Sequence, residues 1–176
     1  MTPVISLPLS QTRCCGIDLQ HLIPKAVTVE KWQEEWTKAT DGGRWTRRIL
    51  PDLRAWQARR FGRTTFHLTQ LLTGHGCLQA YLRRIGKAAS PACPMCLTEV
   101  ADDAEHTLLE CEYFAYERGA MEEIIGRVTE PEDVTRAMLE TEQKWEAVEK
   151  YAADVMGAKE AWERGRDSRQ AAREGR

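Results

Sequence analysis

Four potential metal ligands constrain this chain more than any other feature of its sequence. They follow the pattern C-x2-C-x9-H-x4-C and are Cys93, Cys96, His106 and Cys111. A C-x2-C pair bends two thiolates toward one point, and zinc takes cysteine and histidine ligands at tetrahedral corners. Because the chain itself supplies all four ligands, the pattern predicts one structural zinc ion per chain, with no position open for a catalytic water.

Spacing alone leaves two other interpretations of this motif open. The cysteines can be buried, reduced thiols beside a surface histidine, or Cys93 and Cys96 can be a redox pair. A redox pair is typical of a βαβ context, which this sequence lacks. The spacing also poses a geometric problem, because His106 and Cys111 lie roughly 140° apart around an ideal helix. A shared ion therefore requires either a non-helical His106 at the helix start or a distorted first turn.

Helical periodicity dominates the rest of the chain, and no segment alternates like a strand for more than a few residues. We therefore expect a mainly α fold, in which short helices are stapled by the small CCHC zinc site. A long amphipathic helix should follow from Thr141, with an apolar stripe that ends near Trp162.

Changes in composition divide the chain into five segments. They are an irregular lead-in at 1–27, a basic helical segment at 28–90, the zinc module with its following helix at 91–126, acidic C-terminal helices at 127–164, and a charged, disordered tail at 165–176.

Caps outline some of the shorter helices. Thr28 can cap the first one, and residues 77–85 form another with Ile85 facing inward. A capping box, with Thr129 as the N-cap and Glu132 at the third helical position, predicts the start of a further helix.

The net charge of −2 hides a strong separation of charge along the chain. Residues 41–90 carry ten Lys or Arg and only two Asp, whereas residues 91–160 carry six Lys or Arg and eighteen Asp or Glu. A polyanion such as nucleic acid is attracted to the first segment and repelled by the second. The alternative is that the two segments attract each other within the fold.

The basic segment supplies the candidate contacts to nucleic acid. Arginine binds phosphates through paired donors, and its guanidinium plane can stack on unpaired bases. The predicted nucleic-acid-binding residues are Arg44, Arg47, Arg48, Arg54, Arg59, Arg60, Arg63, Arg83, Arg84 and Lys87. Trp45 and Trp56, which are interleaved with them, are interpreted as core residues.

The sequence identifies no catalytic site. Asp102 and Asp103 superficially resemble the paired aspartates of polymerases, but they lie between the zinc ligands and lack a strand hairpin and a third carboxylate. The run at 74–77, Gly-His-Gly-Cys, is interpreted as a helix junction. The chain has no apolar run of the roughly 18 residues that a membrane span needs, and it begins without the pattern of a signal peptide. These observations favour a nuclear or cytoplasmic protein that is not secreted and has no membrane partner.

Five stretches of the sequence carry a family resemblance. They are DGGRWTRR (41–48), ILPDL (49–53), HLTQLLTGHGCLQAYL (67–82), SPACPMC (90–96) and AEHTLLEC (104–111). Together they resemble the C-terminal end of the Pol polyprotein of type-1 retrotransposable elements, the non-LTR retrotransposons that insert into arthropod ribosomal RNA genes. The resemblance covers residues 28–115 well and the remainder loosely.

The resemblance implies a role and partners for the chain. In that family an endonuclease domain and a reverse transcriptase precede this tail, so the parent polyprotein is an RNA-directed DNA polymerase with endonuclease activity. The residues of neither enzyme lie in this chain, which therefore looks like a fragment or the remnant of a decayed element. The implied function is to hold RNA or DNA during target-primed reverse transcription, next to the upstream polymerase domain. The alternative is a zinc-stabilised protein-interaction module that docks onto the polymerase without touching nucleic acid.

Overall fold

Eight α-helices form most of the described part of the chain. The computed structural model describes residues 22–40 and 43–174. In chain order the helices are α1 (Leu22–Lys38), α2 (Arg44–Ile49), α3 (Leu53–Ala58), α4 (Phe66–Thr73), α5 (Gln79–Arg84), α6 (Ala115–Ile125), α7 (Pro131–Met138) and α8 (Glu142–Glu174). The only β pairing within these residues is an isolated bridge between Ala92 and Ala101. The expected mainly α fold is therefore confirmed. None of the described helices combines the length and apolarity that crossing a membrane requires.

The long helix α8 is the element around which the others pack. It lies against α4, α6 and α7. One face of α8 is buried along several turns, and its residues are Trp145, Val148, Tyr151, Ala152, Val155 and Met156. This spacing is the amphipathic pattern expected from the sequence, in which apolar residues three and four apart share one face.

The hydrophobic core joins residues from distant parts of the sequence. Ile49 and Leu68 from the basic segment, Leu108 from the zinc module and Val134 from α7 belong to one buried cluster. The Thr135 hydroxyl also donates a hydrogen bond to the carbonyl of Ile49. Burial of this apolar surface holds the basic and acidic segments together, since it is the main favourable term in folding.

Two terminal expectations need correction. Helix α1 begins at Leu22 rather than at Thr28, so residues 22–27 are helical, and the rest of the expected lead-in lies outside the described residues. Helix α8 continues to Glu174, so the tail from 165 is helical over most of its length. The composition of the tail explains this result, because Ala, Glu, Arg and Gln are strong helix formers.

The start of α7 differs from the expected capping box by one residue. The N-cap is Glu130, Pro131 takes the first helical position, and Asp133 is the third. Proline is well suited to that first position, which sets the register of the cap. The Asp133 carboxylate accepts the backbone N–H groups of Glu130 at 2.8 Å and Thr129 at 3.0 Å. These hydrogen bonds lower the pKa of Asp133 below its ordinary value.

Helix α5 differs from the expected helix at its end, where Ile85 is exposed, and at its start, where a polar side chain is buried next to the expected Leu78. The helix ends at Arg84, so Ile85 leaves the inward face and is 44% exposed. Gln79 is buried at the start of the helix, and its side-chain amide donates to Glu163 of α8. A buried amide is tolerated here because it has a hydrogen-bond partner.

Candidate metal centre

The first two candidate ligands lie on a tight loop closed by backbone hydrogen bonds. The Cys93 N–H donates to the Val100 carbonyl at 2.9 Å, and the Asp102 N–H donates to the Pro91 carbonyl at 2.7 Å. Leu97 adopts a φ of 57°, which turns the chain directly after Cys96. The loop therefore directs both thiols of the C-x2-C pair toward its interior.

The other two ligands are brought together by a π turn. This turn spans His106–Glu110, and the Cys111 N–H donates to the His106 carbonyl at 2.8 Å. Hydrogen bonds of this i to i+5 type widen the helix, so residues five apart come close to alignment. Of the two alternatives expected from the spacing, the structure shows the distorted first turn. The single helix expected after the motif is instead this π turn, a 3-10 turn at Glu112–Phe114, and then α6.

The four side chains converge closely enough to share one metal ion. Their ligand atoms all lie within 4.8 Å of one another. The Cys93 and Cys111 sulfurs are 3.9 Å apart, and the Cys96 sulfur is 3.4 Å from His106 Nε2. Two sulfurs that each lie ~2.3 Å from a tetrahedral ion would be about 3.8 Å apart. The distances and the donor set of three thiols and one imidazole therefore fit a tetrahedral metal site.

Burial and hydrogen bonds shift the pKa values of the three thiols in different directions. Burial raises the pKa of Cys93 and of Cys111. Burial also acts to raise the pKa of Cys96, but hydrogen bonds from Thr98, Cys93 and His106 outweigh it and lower the pKa to about 6. Cys96 is therefore the thiol most easily converted to the thiolate that binds a metal, since thiolates are the ligating form.

Glu110 is a candidate positioning residue that sequence reasoning missed. Its Oε2 lies 3.5 Å from His106 Nδ1, an ion-pair distance at which Nδ1 stays buried without a hydrogen bond to any described residue, while Nε2 of the same ring faces Cys96. A carboxylate on the far nitrogen of a metal-binding histidine orients the ring and raises its basicity. The signal was present in the sequence, because residues four apart are neighbours on a helical surface.

A buried ion pair anchors the metal loop to α8. Asp102 and Lys159 are 0% and 1% exposed, and Lys159 Nζ donates to Asp102 Oδ1. Asp102 Oδ2 also accepts the Gln79 N–H at 3.0 Å. Asp102 therefore has a structural partner, and Asp103 accepts the His106 N–H at 2.8 Å. The sequence contains a signal of this pair, because Lys159 occupies a position in the apolar stripe of α8. A lysine on a buried helix face needs a buried partner of opposite charge.

Five of the ten predicted nucleic-acid-binding residues have an ion-pair or cation–π partner within the protein, and they are Arg47, Arg48, Arg54, Arg59 and Arg84. Arg48 forms a bidentate ion pair with Glu105, in which the two guanidinium nitrogens lie 2.5 and 2.7 Å from the carboxylate oxygens. This pair lowers the pKa of Glu105. Arg54 lies 3.4 Å from Glu30, and Arg47 lies 6.0 Å from the Trp36 ring centre. The Arg59 guanidinium lies 4.3 Å from the ring centre of Trp56.

Six of the ten predicted residues are exposed and take part in no ion pair between described residues. They are Arg44, Arg60, Arg63, Arg83, Arg84 and Lys87. The alternative that the basic and acidic segments attract each other within the fold is seen in the ion pair between Arg48 and Glu105. The role of these residues in binding nucleic acid stays a prediction. The tryptophans behave as expected, since Trp56 is buried and Trp45 packs against the core and donates to the Leu71 carbonyl at 2.8 Å.

Comparisons with known proteins agree with the resemblance seen in the sequence. The chain is similar to a retrovirus-related Pol polyprotein from the type-1 retrotransposable element R1 2 of Nasonia vitripennis, with 36% identity over 99 residues, 56% of this chain and 23% of that protein. It is also similar to the corresponding polyprotein of element R1 4 of the same organism, with 28% identity over 126 residues, 72% of this chain and 32% of that protein. The chain is thus similar to a region of type-1 retrotransposon Pol polyproteins and spans less than a third of the length of these relatives. No family model and no solved structure matches it.

Proposed function

We propose that this chain is a zinc-stabilised, nucleic-acid-binding segment from the C-terminal part of a retrotransposon Pol polyprotein. Its role is to hold RNA or DNA for the upstream reverse transcriptase during target-primed reverse transcription, in the nucleus or cytoplasm. The observation that carries the proposal is the set of exposed cations that form no ion pair with a described residue, on a chain similar to Pol polyproteins. Cations that the fold does not neutralise remain available to phosphates.

The metal in this proposal is zinc, and its role is structural. Three thiols and one imidazole form a donor set that zinc takes in closed structural sites. When bound, the ion supplies folding free energy, because the unfolded chain has no preformed site. Cys93 and Cys96 would hold it from the loop, and His106 and Cys111 from the π turn. The loop and turn also carry Asp102, so the metal would fix the contact between this module and α8.

Salt-dependent binding tests the proposed function. The test variant neutralises the α5 basic cluster, which we define as Arg83, Arg84 and Lys87, by substitution with Gln. Each phosphate contact contributes about −0.7 to the slope of log K against log salt for a single strand, and about −0.9 for B-DNA. If all three cations contact phosphates, the variant should bind more weakly and its slope should flatten by roughly 2–3. Fluorescence anisotropy with labelled RNA and DNA at several salt concentrations provides both values.

A matched control removes the same charge from the acidic half of the chain. Arg127, Lys150 and Arg164 are exposed, and their substitution by Gln should leave the slope unchanged. Equal slopes for the wild type, the test variant and the control would contradict phosphate contact by the α5 basic cluster. Wild-type protein that binds neither RNA nor DNA at low salt would contradict the proposed function itself.

One observation favours a second candidate function, a protein-interaction module that docks onto the polymerase. Tyr113 and Tyr116 are 57% and 84% exposed on the acidic half of the molecule. Exposed tyrosines are enriched at protein interfaces because they combine an apolar body with a polar tip. Under this alternative, the double substitution Tyr113→Ser and Tyr116→Ser would weaken binding to the polymerase domain. Neutralisation of the α5 basic cluster would leave the affinity for nucleic acid unchanged.

A further inference from the structure

A groove beside the metal module carries an inference that rests on the proposed function and makes it more specific. Its volume is about 1100 Å³, and it is lined by α2, by the turn between α4 and α5, by α5 and by residues 103–105. Its lining includes Arg44, Trp45, His75, Tyr81 and Arg84. Pockets for small ligands span roughly 300–1,000 Å³. The groove therefore lies at the upper end of this range and has room for one or two nucleotides.

Three planar side chains stand next to one another in this groove. The His75 ring centre lies 4.6 Å from that of Tyr81, and the Arg84 guanidinium lies 5.2 Å from the Tyr81 ring centre. His75 and Arg84 are both exposed. Unpaired bases stack on aromatic rings, imidazoles and guanidinium planes of this kind, whereas the faces of paired bases in a duplex are covered.

The turn between α4 and α5 is built to display His75. Gly74 and Gly76 have φ values of 68° and 84°, which residues other than glycine rarely adopt. A Cβ on Gly74 would also lie 3.2 Å from the Trp45 ring. The backbone N–H of His75 donates to the Gln70 carbonyl at 3.1 Å, while its imidazole points to solvent. The helix junction expected from the Gly-His-Gly run is thus also a rigid support for an exposed imidazole.

The charges that line the groove leave two cations for a phosphate. Of its two carboxylates, Glu105 pairs with Arg48, whereas Asp103 accepts the His106 N–H and keeps its charge, so the three arginines and two carboxylates of the lining give a formal net charge of +1. Arg44 and Arg84 form no ion pair with any described residue. A groove that combines such cations with planar side chains is typical of single-strand binding proteins.

We propose that this groove is a binding subsite for single-stranded nucleic acid. One base stacks on the exposed His75 ring, which is tilted by 51° from the Tyr81 ring beside it, and the neighbouring phosphate contacts Arg44 and Arg84. The recognised chemistry, an unpaired base next to a phosphodiester, is shared by RNA and single-stranded DNA. The Thr-Gly-His-Gly run at 73–76 thereby gains a role that the metal site does not give it.

The test compares short oligouridine, short oligothymidine and a duplex of equal length as probes of the zinc-loaded full chain. Stacking on a base is worth about 1–3 kcal/mol, which corresponds to a roughly 5- to 150-fold loss of affinity. We expect His75→Ala to cause a loss in this range for the single strands and to leave duplex binding unchanged. His75→Phe keeps a planar face and should retain most of the affinity. Thermal melting of each variant verifies that it is folded.

Adjacent arginines provide a matched control for charge. Arg83 and Arg84 are both exposed, but only Arg84 lines the groove. Arg84→Gln should therefore lower the affinity for single strands more than the affinity for the duplex, whereas Arg83→Gln should lower both affinities equally. A larger loss with oligouridine or with oligothymidine identifies RNA or DNA as the preferred strand, and either result supports the subsite.

The outcomes separate failure of the subsite from failure of the proposed function. Folded His75→Ala and Arg84→Gln variants that bind single strands like the wild type would overturn the subsite and leave nucleic-acid binding in place. A His75→Phe variant as weak as His75→Ala would overturn stacking as the mechanism. Absence of all binding by the wild type would instead refute the function on which the subsite rests.

Discussion

The buried ion pair between the metal loop and α8 gives a quantitative prediction about stability. Asp102 and Lys159 are 0% and 1% exposed, so neither charge is solvated by water. Substitution of Asp102 by Asn keeps the shape of the side chain and one acceptor oxygen but removes the negative charge. The Lys159 ammonium then stays buried beside the ring of Phe114, whose centre lies 5.4 Å from the Lys159 nitrogen.

The expected cost follows from the energetics of buried charges. Removal of one partner from a buried ion pair typically destabilises a protein by about 3–5 kcal/mol. Because Asn can still accept hydrogen bonds, we expect the lower end of this range, about 3 kcal/mol. In a chain of this size each kcal/mol lowers the melting temperature by about 2–4 °C. Asp102→Asn should therefore lower it by about 6–12 °C.

Thermal unfolding by circular dichroism, with zinc present, measures this effect. Two variants make the experiment specific. Lys159→Met, added to Asp102→Asn, removes the stranded charge and should restore much of the stability, because buried pairs can be replaced by apolar groups at little cost. Asp154→Asn breaks the exposed pair with Lys150 on the same helix and should leave the melting temperature unchanged.

Two results would refute this reasoning. If Asp102→Asn melts at the same temperature as Asp154→Asn, the burial of the Asp102 charge contributes nothing to stability. If the double variant is no more stable than Asp102→Asn alone, the loss comes from disturbed packing and not from an uncompensated ammonium group.

Three further predictions concern the metal and the caps. We expect about one zinc per chain by atomic absorption. The double variant Cys93→Ser, Cys96→Ser should contain no zinc, whereas the control Cys77→Ser should keep its zinc. A full zinc content in the double variant would exclude the assigned ligands. Glu110→Gln should weaken zinc binding by about tenfold in a competition titration, because the carboxylate orients His106, and an unchanged affinity would remove that role. Backbone hydrogen bonds lower the pKa of Asp133, so its stabilising effect is present above about pH 4 and is lost as the pH falls through the lowered value. The stability advantage of the wild type over Asp133→Asn should accordingly shrink with acidification in urea unfolding, and a constant difference from neutral to acid pH would contradict this account.

The amino-acid sequence alone was sufficient for features that depend on local spacing. The C-x2-C-x9-H-x4-C pattern identified the four residues whose ligand atoms converge. Apolar residues at helical spacing predicted the mainly α fold and the buried face of α8. Periodicity and ligand spacing are encoded within a few residues of one another, so they can be recognised without any knowledge of tertiary contacts.

Tertiary structure decided which of the charged residues are available for binding. Ten basic residues looked equivalent in the sequence, yet Arg48 faces Glu105, 57 positions away, and Arg59 lies over Trp56 and Trp145. The same is true of Asp102, whose partner Lys159 is also 57 residues distant. Such pairs form because core packing brings remote segments together, and the cost of leaving a buried charge unpaired then selects the partner. The groove that contains His75 and Arg84 likewise exists only once α2, α4 and α5 have packed.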